Sequence, residues 1–110
     1  MKNMFDIQGK YAVVTGASSG LGKNAAIAYA SMGANVALLA RNIEKLKDTE
    51  KEVKKYDVKV ILVECDVTKE ESVKNAVDTI MNNFGRIDIL LNNAGVAVSG
   101  GVDSLSEEDW

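Results

Sequence analysis

Thr15-Gly16-Ala17-Ser18-Ser19-Gly20-Leu21-Gly22 is the stretch that decides how this chain folds. It follows a short apolar run, Tyr11-Ala12-Val13-Val14, and leads into an alanine-rich stretch from Leu21 to Met32. A short apolar run that ends in glycine predicts a fully buried strand. The stretch behind it predicts a closely packing helix, with Gly33 suited to its C-terminal stop. The glycine-rich segment is therefore a strand-to-helix turn. A helix N-terminus offers unpaired N–H groups and the positive end of the helix dipole, which suits an anion. Glycines at 16, 20 and 22 allow a tight turn, the close approach of a diphosphate, and intimate helix–strand packing. Ser18 and Ser19 add hydroxyl donors for phosphate or ribose oxygens. A triphosphate-binding P-loop is excluded, because Lys23 after Gly22 is followed by Asn24 and not by Ser or Thr.

The rest of the chain repeats the alternation. Asn35 to Leu39 reads as a second strand. Asn42 can cap the next helix, whose apolar edge is Ile43, Leu46 and Val53. Val58 to Val63 reads as a third strand. Thr68-Lys69-Glu70-Glu71 has the form of a capping box. Behind it Val73, Ala76, Val77, Ile80, Met81 and Phe84 recur at the spacing of one buried helix face, and Gly85 closes the helix. Tyr29 and Met32 are expected in the core with Met81 and Phe84. Ile87 to Leu91 is the fourth strand. Apolar strands without in/out alternation, joined by helices, predict a Rossmann-type doubly wound α/β fold. Its parallel sheet is covered on both faces, with spatial order 3-2-1-4.

Composition narrows the chemistry. The 110 residues suit one domain. Apolar residues at 46% and charged residues at 26% are ordinary for a globular chain. A net charge of −3, with lysines interleaved among acids, offers nothing to nucleic acid or to an anionic membrane. No stretch approaches the roughly 18 apolar residues of a membrane span. The single cysteine, Cys65, reads as a small core thiol, and a reducing cytoplasmic setting is expected. Histidine is absent, which removes Ser-His and Cys-His catalysis and the commonest metal ligand; no metal site is expected. Leu105 to Trp110 reads as the capped start of a further helix, so the chain is expected to be the N-terminal part of a longer domain.

Thr-Gly-x-x-x-Gly-x-Gly differs from the Gly-x-Gly-x-x-Gly of other dinucleotide folds, and it resembles the short-chain dehydrogenase/reductases (SDRs). Cys65-Asp66-Val67 after the third strand, Asn92-Asn93-Ala94-Gly95 after the fourth, and Leu105 to Trp110 match the family at its own places. The resemblance runs from Asp6 to Trp110. It implies a cofactor-binding set of Gly16, Ser18, Ser19, Gly20, Leu21, Gly22, Arg41, Asp66, Val67, Asn92, Ala94 and Gly95. Asp66 would accept from the adenine amino group and the Val67 backbone would read the ring edge. Asn92 would border the ribose, Ala94 and Gly95 would turn the chain beneath the cofactor, and the Leu21 backbone would meet the nicotinamide end.

The residue that reads the adenosine ribose is expected at the end of the second strand, here Ala40-Arg41-Asn42. An acid there would repel a 2′-phosphate. Ala40 removes that repulsion and Arg41 offers a planar cationic fork, which favours NADP(H), with NAD as the alternative cofactor. The resemblance further implies hydride transfer to or from an alcohol or ketone by a homo-oligomeric parent protein. It puts the proton-transferring Ser, Tyr, Lys and Asn beyond Trp110. The 110 residues alone are thus expected to contain no catalytic residue and to be inactive. A regulatory or sensor module that only binds the nucleotide is the competing expectation on the same fold.

Overall fold

The computed structural model describes residues 6–93. The order is β1 (Tyr11–Thr15), α1 (Gly20–Ser31), β2 (Asn35–Ala40), a 3-10 turn (Ile43–Leu46), α2 (Lys47–Val53), β3 (Val60–Glu64), α3 (Glu70–Phe84) and β4 (Ile89–Asn92). The strands form one sheet in the order β3-β2-β1-β4, and every pairing is parallel. Val14 lies beside Leu38 on one side and Leu91 on the other.

The unbroken apolarity of the strands follows from this layering. Successive side chains leave a strand on opposite faces. Ala12, Val14, Val36 and Leu38 enter a core shared with Ala26 and Ala30 of α1 and Val53 of α2. Val13, Ala37, Leu39 and Val63 enter a second core with Ala76, Ile80 and Phe84 of α3. Both faces are covered, so neither register of a strand can be polar. The alanines of α1 let that helix sit close to β1.

Several local expectations are corrected. The helix after Asn42 is split into a 3-10 turn and α2, although Asn42 does cap it: its side-chain oxygen accepts from the Glu44 N–H at 2.9 Å. β3 begins at Val60 and β4 at Ile89, two residues later than the apolar pattern suggests. The capping box does not form. Lys69 is the N-cap of α3 and makes no side-chain cap. With α3 starting at Glu70, Thr68 lies one residue before the cap position, and its hydroxyl donates to the Asp66 carboxylate at 2.6 Å.

The stripe on α3 is only half buried. Ala76, Ile80 and Phe84 pack inward, whereas Val73, Val77 and Met81 are 37–43% exposed among the described residues. The sheet reaches only one row of the stripe; Val73 and Val77 of the other row border an apolar hollow of about 240 Å³ with Ile87 and Leu90. Met32 is likewise exposed, at the end of α1, and Tyr29 is half-buried against the core. The helix start expected at 105–110 lies outside the described residues.

Candidate functional site

The turn after β1 is held from three directions. Gly16 and Gly20 sit at φ 62° and 60°, in the left-handed region that a side chain disfavours. Between them Ala17 is fully buried. Its N–H donates to the Leu39 carbonyl of β2 at 3.1 Å, and its carbonyl accepts from the Thr49 hydroxyl of α2 at 2.8 Å. Gly22, in the first turn of α1, lies so close to Gly16 that a Cβ there would overlap the Gly16 carbonyl oxygen. The first bond closing α1 runs from the Lys23 N–H to the Ser19 carbonyl. The N–H groups of Gly20, Leu21 and Gly22 therefore have no intrahelical acceptor. Ser19 adopts an extended conformation at the N-cap and makes no side-chain cap, so its hydroxyl is not spent on the helix.

The end of β4 is tied to the same turn. The Asn93 N–H donates to the Thr15 hydroxyl at 2.8 Å, and that hydroxyl donates to the Asn92 side-chain oxygen at 3.0 Å. The Asn93 side-chain amide reaches the Gly16 carbonyl at 3.5 Å. The pair of asparagines thus fixes the spacing between β4 and the glycine turn. Ala94 and Gly95 lie outside the described residues.

A cavity of about 570 Å³ opens beyond the carboxyl ends of β1, β2 and β3. This is where open α/β sheets bind ligands. Gly16, Ser18, Arg41, Asp66 and Val67 line it, together with Asn42, Lys45 and Thr68. Leu21 stands apart from the cavity, its side chain 75% exposed at the start of α1. Asn92 faces the apolar hollow on the α3 side.

The electrostatics of the cavity centre on Asp66. One carboxylate oxygen accepts from both the N–H and the hydroxyl of Thr68, at 3.0 and 2.6 Å. The other lies 3.9 Å from the Arg41 guanidinium Nε. The Thr68 hydroxyl, then the Thr68 N–H, and more weakly the Arg41 charge hold the Asp66 carboxyl below the usual aspartate range. The Asp66 N–H donates to the Ser72 hydroxyl at 2.9 Å, which anchors this turn on α3. Cys65 is buried beside it, and burial pushes its thiol up, away from a reactive thiolate.

Three residues that position the site escaped the sequence reading. Thr15 opens the glycine motif, and nothing in the sequence reports that its hydroxyl bridges Asn92 and Asn93. Lys45 looked like one charge of a solvated face. Thr49 had a visible signal: Leu46, Thr49 and Val53 share one helix face by spacing, and all three are buried. Among the described residues no group of three His, Cys, Asp or Glu side chains could hold a metal ion, and no helix is long and apolar enough to cross a membrane.

The sequence profile of the short chain dehydrogenases matches residues 10–110. The chain belongs to the short-chain dehydrogenase/reductase family. One SDR relative, an uncharacterized oxidoreductase of Thermotoga maritima, is 42% identical over 107 residues, covering 96% of this chain and 41% of the relative. Among solved SDR structures, an NAD+-bound xylitol dehydrogenase is 42% identical with a TM-score of 0.78, covering 81% of this chain and 34% of that one. The L-sorbose reductase of Gluconobacter frateurii, complexed with NADPH and L-sorbose, is 34% identical with a TM-score of 0.77, covering 89% of this chain and 41% of that one. The chain spans about two fifths of the length of the curated SDR relatives it matches. The sheet order 3-2-1-4 and its flanking helices are those of the SDR Rossmann fold.

Proposed function

We propose that residues 1–110 are the dinucleotide-binding half of an NADP(H)-dependent oxidoreductase acting on an alcohol or ketone. The observation that carries this reading is the contact of Gly22 on Gly16, a backbone cradle that any side chain would fill. Such a cradle, with amides of Gly20, Leu21 and Gly22 free of helical partners, suits a diphosphate.

The remaining roles rest on the cavity together with the family resemblance. Ser18 and Ser19 offer hydroxyls to phosphate or ribose oxygens. Asp66, kept ionised by Thr68, accepts from the adenine amino group, and the Val67 backbone borders the ring. Arg41 contacts the 2′-phosphate, and Ala40 leaves no acid to repel it. By the family resemblance, the Asn92 backbone borders the cofactor ribose, and Ala94 and Gly95 turn the chain beneath the cofactor. When bound, the nicotinamide supplies or takes the hydride; this chain's residues bind and orient it, and the proton-transferring groups come from sequence beyond Trp110. The NAD+ and NADPH complexes of the xylitol dehydrogenase and the L-sorbose reductase support a nicotinamide cofactor and a small alcohol or ketone as the reacting class.

The test is a titration of the complete protein with NADPH and NADH, repeated for Arg41→Ala. A charge-assisted contact of about 1.5–3 kcal/mol corresponds to a roughly ten- to hundredfold loss for NADPH, with NADH little changed. Equal affinity of the unaltered protein for both cofactors removes the role given to Arg41.

A further inference from the structure

Resting on the reading of Asp66 as the acceptor of the adenine amino group, we propose that Ser72 of α3 is a positioning residue for the base. It holds Asp66 where the carboxylate tells a 6-amino purine from a 6-oxo purine. Ser72 stands behind the cavity wall and does not line it. Its hydroxyl accepts from the Asp66 N–H at 2.9 Å.

At Asp66 the chain leaves the sheet. The Cys65 N–H still donates to the Ala40 carbonyl of β2 at 2.9 Å, whereas the next amide, that of Asp66, turns to Ser72. The Asp66 carbonyl accepts from the Lys69 N–H at 3.0 Å. The main chain of Asp66 is therefore held on both sides by the start of α3, and not by a strand. Lys69 is the N-cap, which makes Ser72 the third residue of the helix. A polar side chain at that position commonly reaches back to the N-cap amide; that of Ser72 reaches past it to Asp66. One and two turns further along the same face, Ala76 and Ile80 are buried in the core. The alignment of Asp66 is thus referred to a helix fixed in the core.

The carboxylate keeps one oxygen for a ligand. The first is taken by the Thr68 N–H and hydroxyl, at 3.0 and 2.6 Å. The second lies 3.9 Å from the Arg41 Nε and lines the cavity side. An ionised carboxylate only accepts. A 6-amino group gives it a donor, whereas a 6-oxo group sets acceptor against acceptor. Hydrogen bonds weaken steeply with distance and angle, so a displaced Asp66 loses this distinction.

The experiment is a fluorescence titration of the complete protein with NADPH and with its hypoxanthine analogue, which differs only at the purine. The forms compared are unaltered, Ser72→Ala, Ser72→Thr and Asp66→Ala. The unaltered protein is expected to prefer NADPH by roughly ten- to hundredfold, and Asp66→Ala to lose that preference. Ser72→Ala is expected to shrink it by roughly two- to tenfold, and Ser72→Thr, which keeps the hydroxyl, to retain it. A ratio of affinities does not move when a variant is merely less stable. If Ser72→Ala weakens both ligands equally or neither, or if Ser72→Thr behaves as Ser72→Ala does, the Ser72 inference is overturned and the role of Asp66 stands on its own variant. An unaltered protein that does not distinguish the two ligands overturns both.

Discussion

The hydroxyl of Thr49 donates a 2.8 Å hydrogen bond to the carbonyl of Ala17, joining α2 to the glycine turn across 32 residues of sequence. Both residues are fully buried. The Ala17 carbonyl is therefore sealed from water, and the Thr49 hydroxyl satisfies it. Thr49→Val keeps the shape and deletes the donor. Leaving a buried carbonyl unpaired costs about 1–3 kcal/mol. The expected outcome is a fall in unfolding free energy of that size by urea titration, with weaker binding of NADPH and NADH alike. Thr49→Ser is expected to recover part of both.

Gly22→Ala tests the contact between α1 and the turn. The added methyl would meet Gly16 backbone, which has no rotamer with which to retreat, and the Asn93 side-chain amide at 3.0 Å. Overpacking of this kind costs about 1–3 kcal/mol and must shift either α1 or the turn. Cofactor titration is expected to show loss of binding beyond the loss of stability, because the shifted element is the cradle itself. Gly85→Ala is a control for glycine removal without a clash: it is strained by its φ of 82° but has open space around it. It should lower stability and leave cofactor affinity intact in the folded fraction.

Thr15→Val addresses the joint between β1 and the asparagines. The substitution removes the acceptor of the Asn93 N–H and the donor to the Asn92 side chain at once. The expected result is a destabilisation of about 1–3 kcal/mol, measured by chemical denaturation. Amide exchange should quicken first at Asn93 and only later in the centre of the sheet.

Acid should loosen the other end of β4. Asp88 accepts from the Tyr11 N–H at 2.9 Å and pairs with Arg86 at 2.8 Å. The Arg86 hydrogen bond, and then the Tyr11 N–H, hold its carboxyl below the usual aspartate range. A carboxyl whose pKa is lowered on folding stabilises the fold above the unfolded value, about 3.9, and loses that contribution as pH falls through the folded value. Asp88→Asn should lower the melting temperature at neutral pH, and the gap to the unaltered protein should close below about pH 4. A gap that persists at low pH would mean that packing, not charge, is at work.

The architecture was legible because it rests on long-range hydrophobic order. β1 to β4 are apolar on both faces, and Asn42, Gly33 and Gly85 punctuate the helices as their chemistry requires. The cavity was legible in outline for the same reason: Gly16, Ser18, Arg41, Asp66 and Val67 follow strand ends, and a parallel sheet gathers all its strand ends on one side. What could not be read was the choice of hydrogen-bond partners. Thr68 had the form of a helix cap, yet α3 starts one residue later and the Thr68 hydroxyl donates to the Asp66 carboxylate two residues earlier. Thr15 and Thr49 act on partners 78 and 32 residues away, and no local pattern reports such a partner. The stripe on α3 was read as one buried face because periodicity gives the width of an apolar face, and not how much of it the sheet reaches.

The cradle formed by Gly16, Gly20 and Gly22 is tested most directly by a crystal structure of the complete protein with NADP(H) bound. The expected map shows the diphosphate within hydrogen-bond distance of the amides at the start of α1, with the adenosine in the cavity between Arg41 and Asp66. A diphosphate bound elsewhere, with these amides facing only solvent, would contradict the assignment.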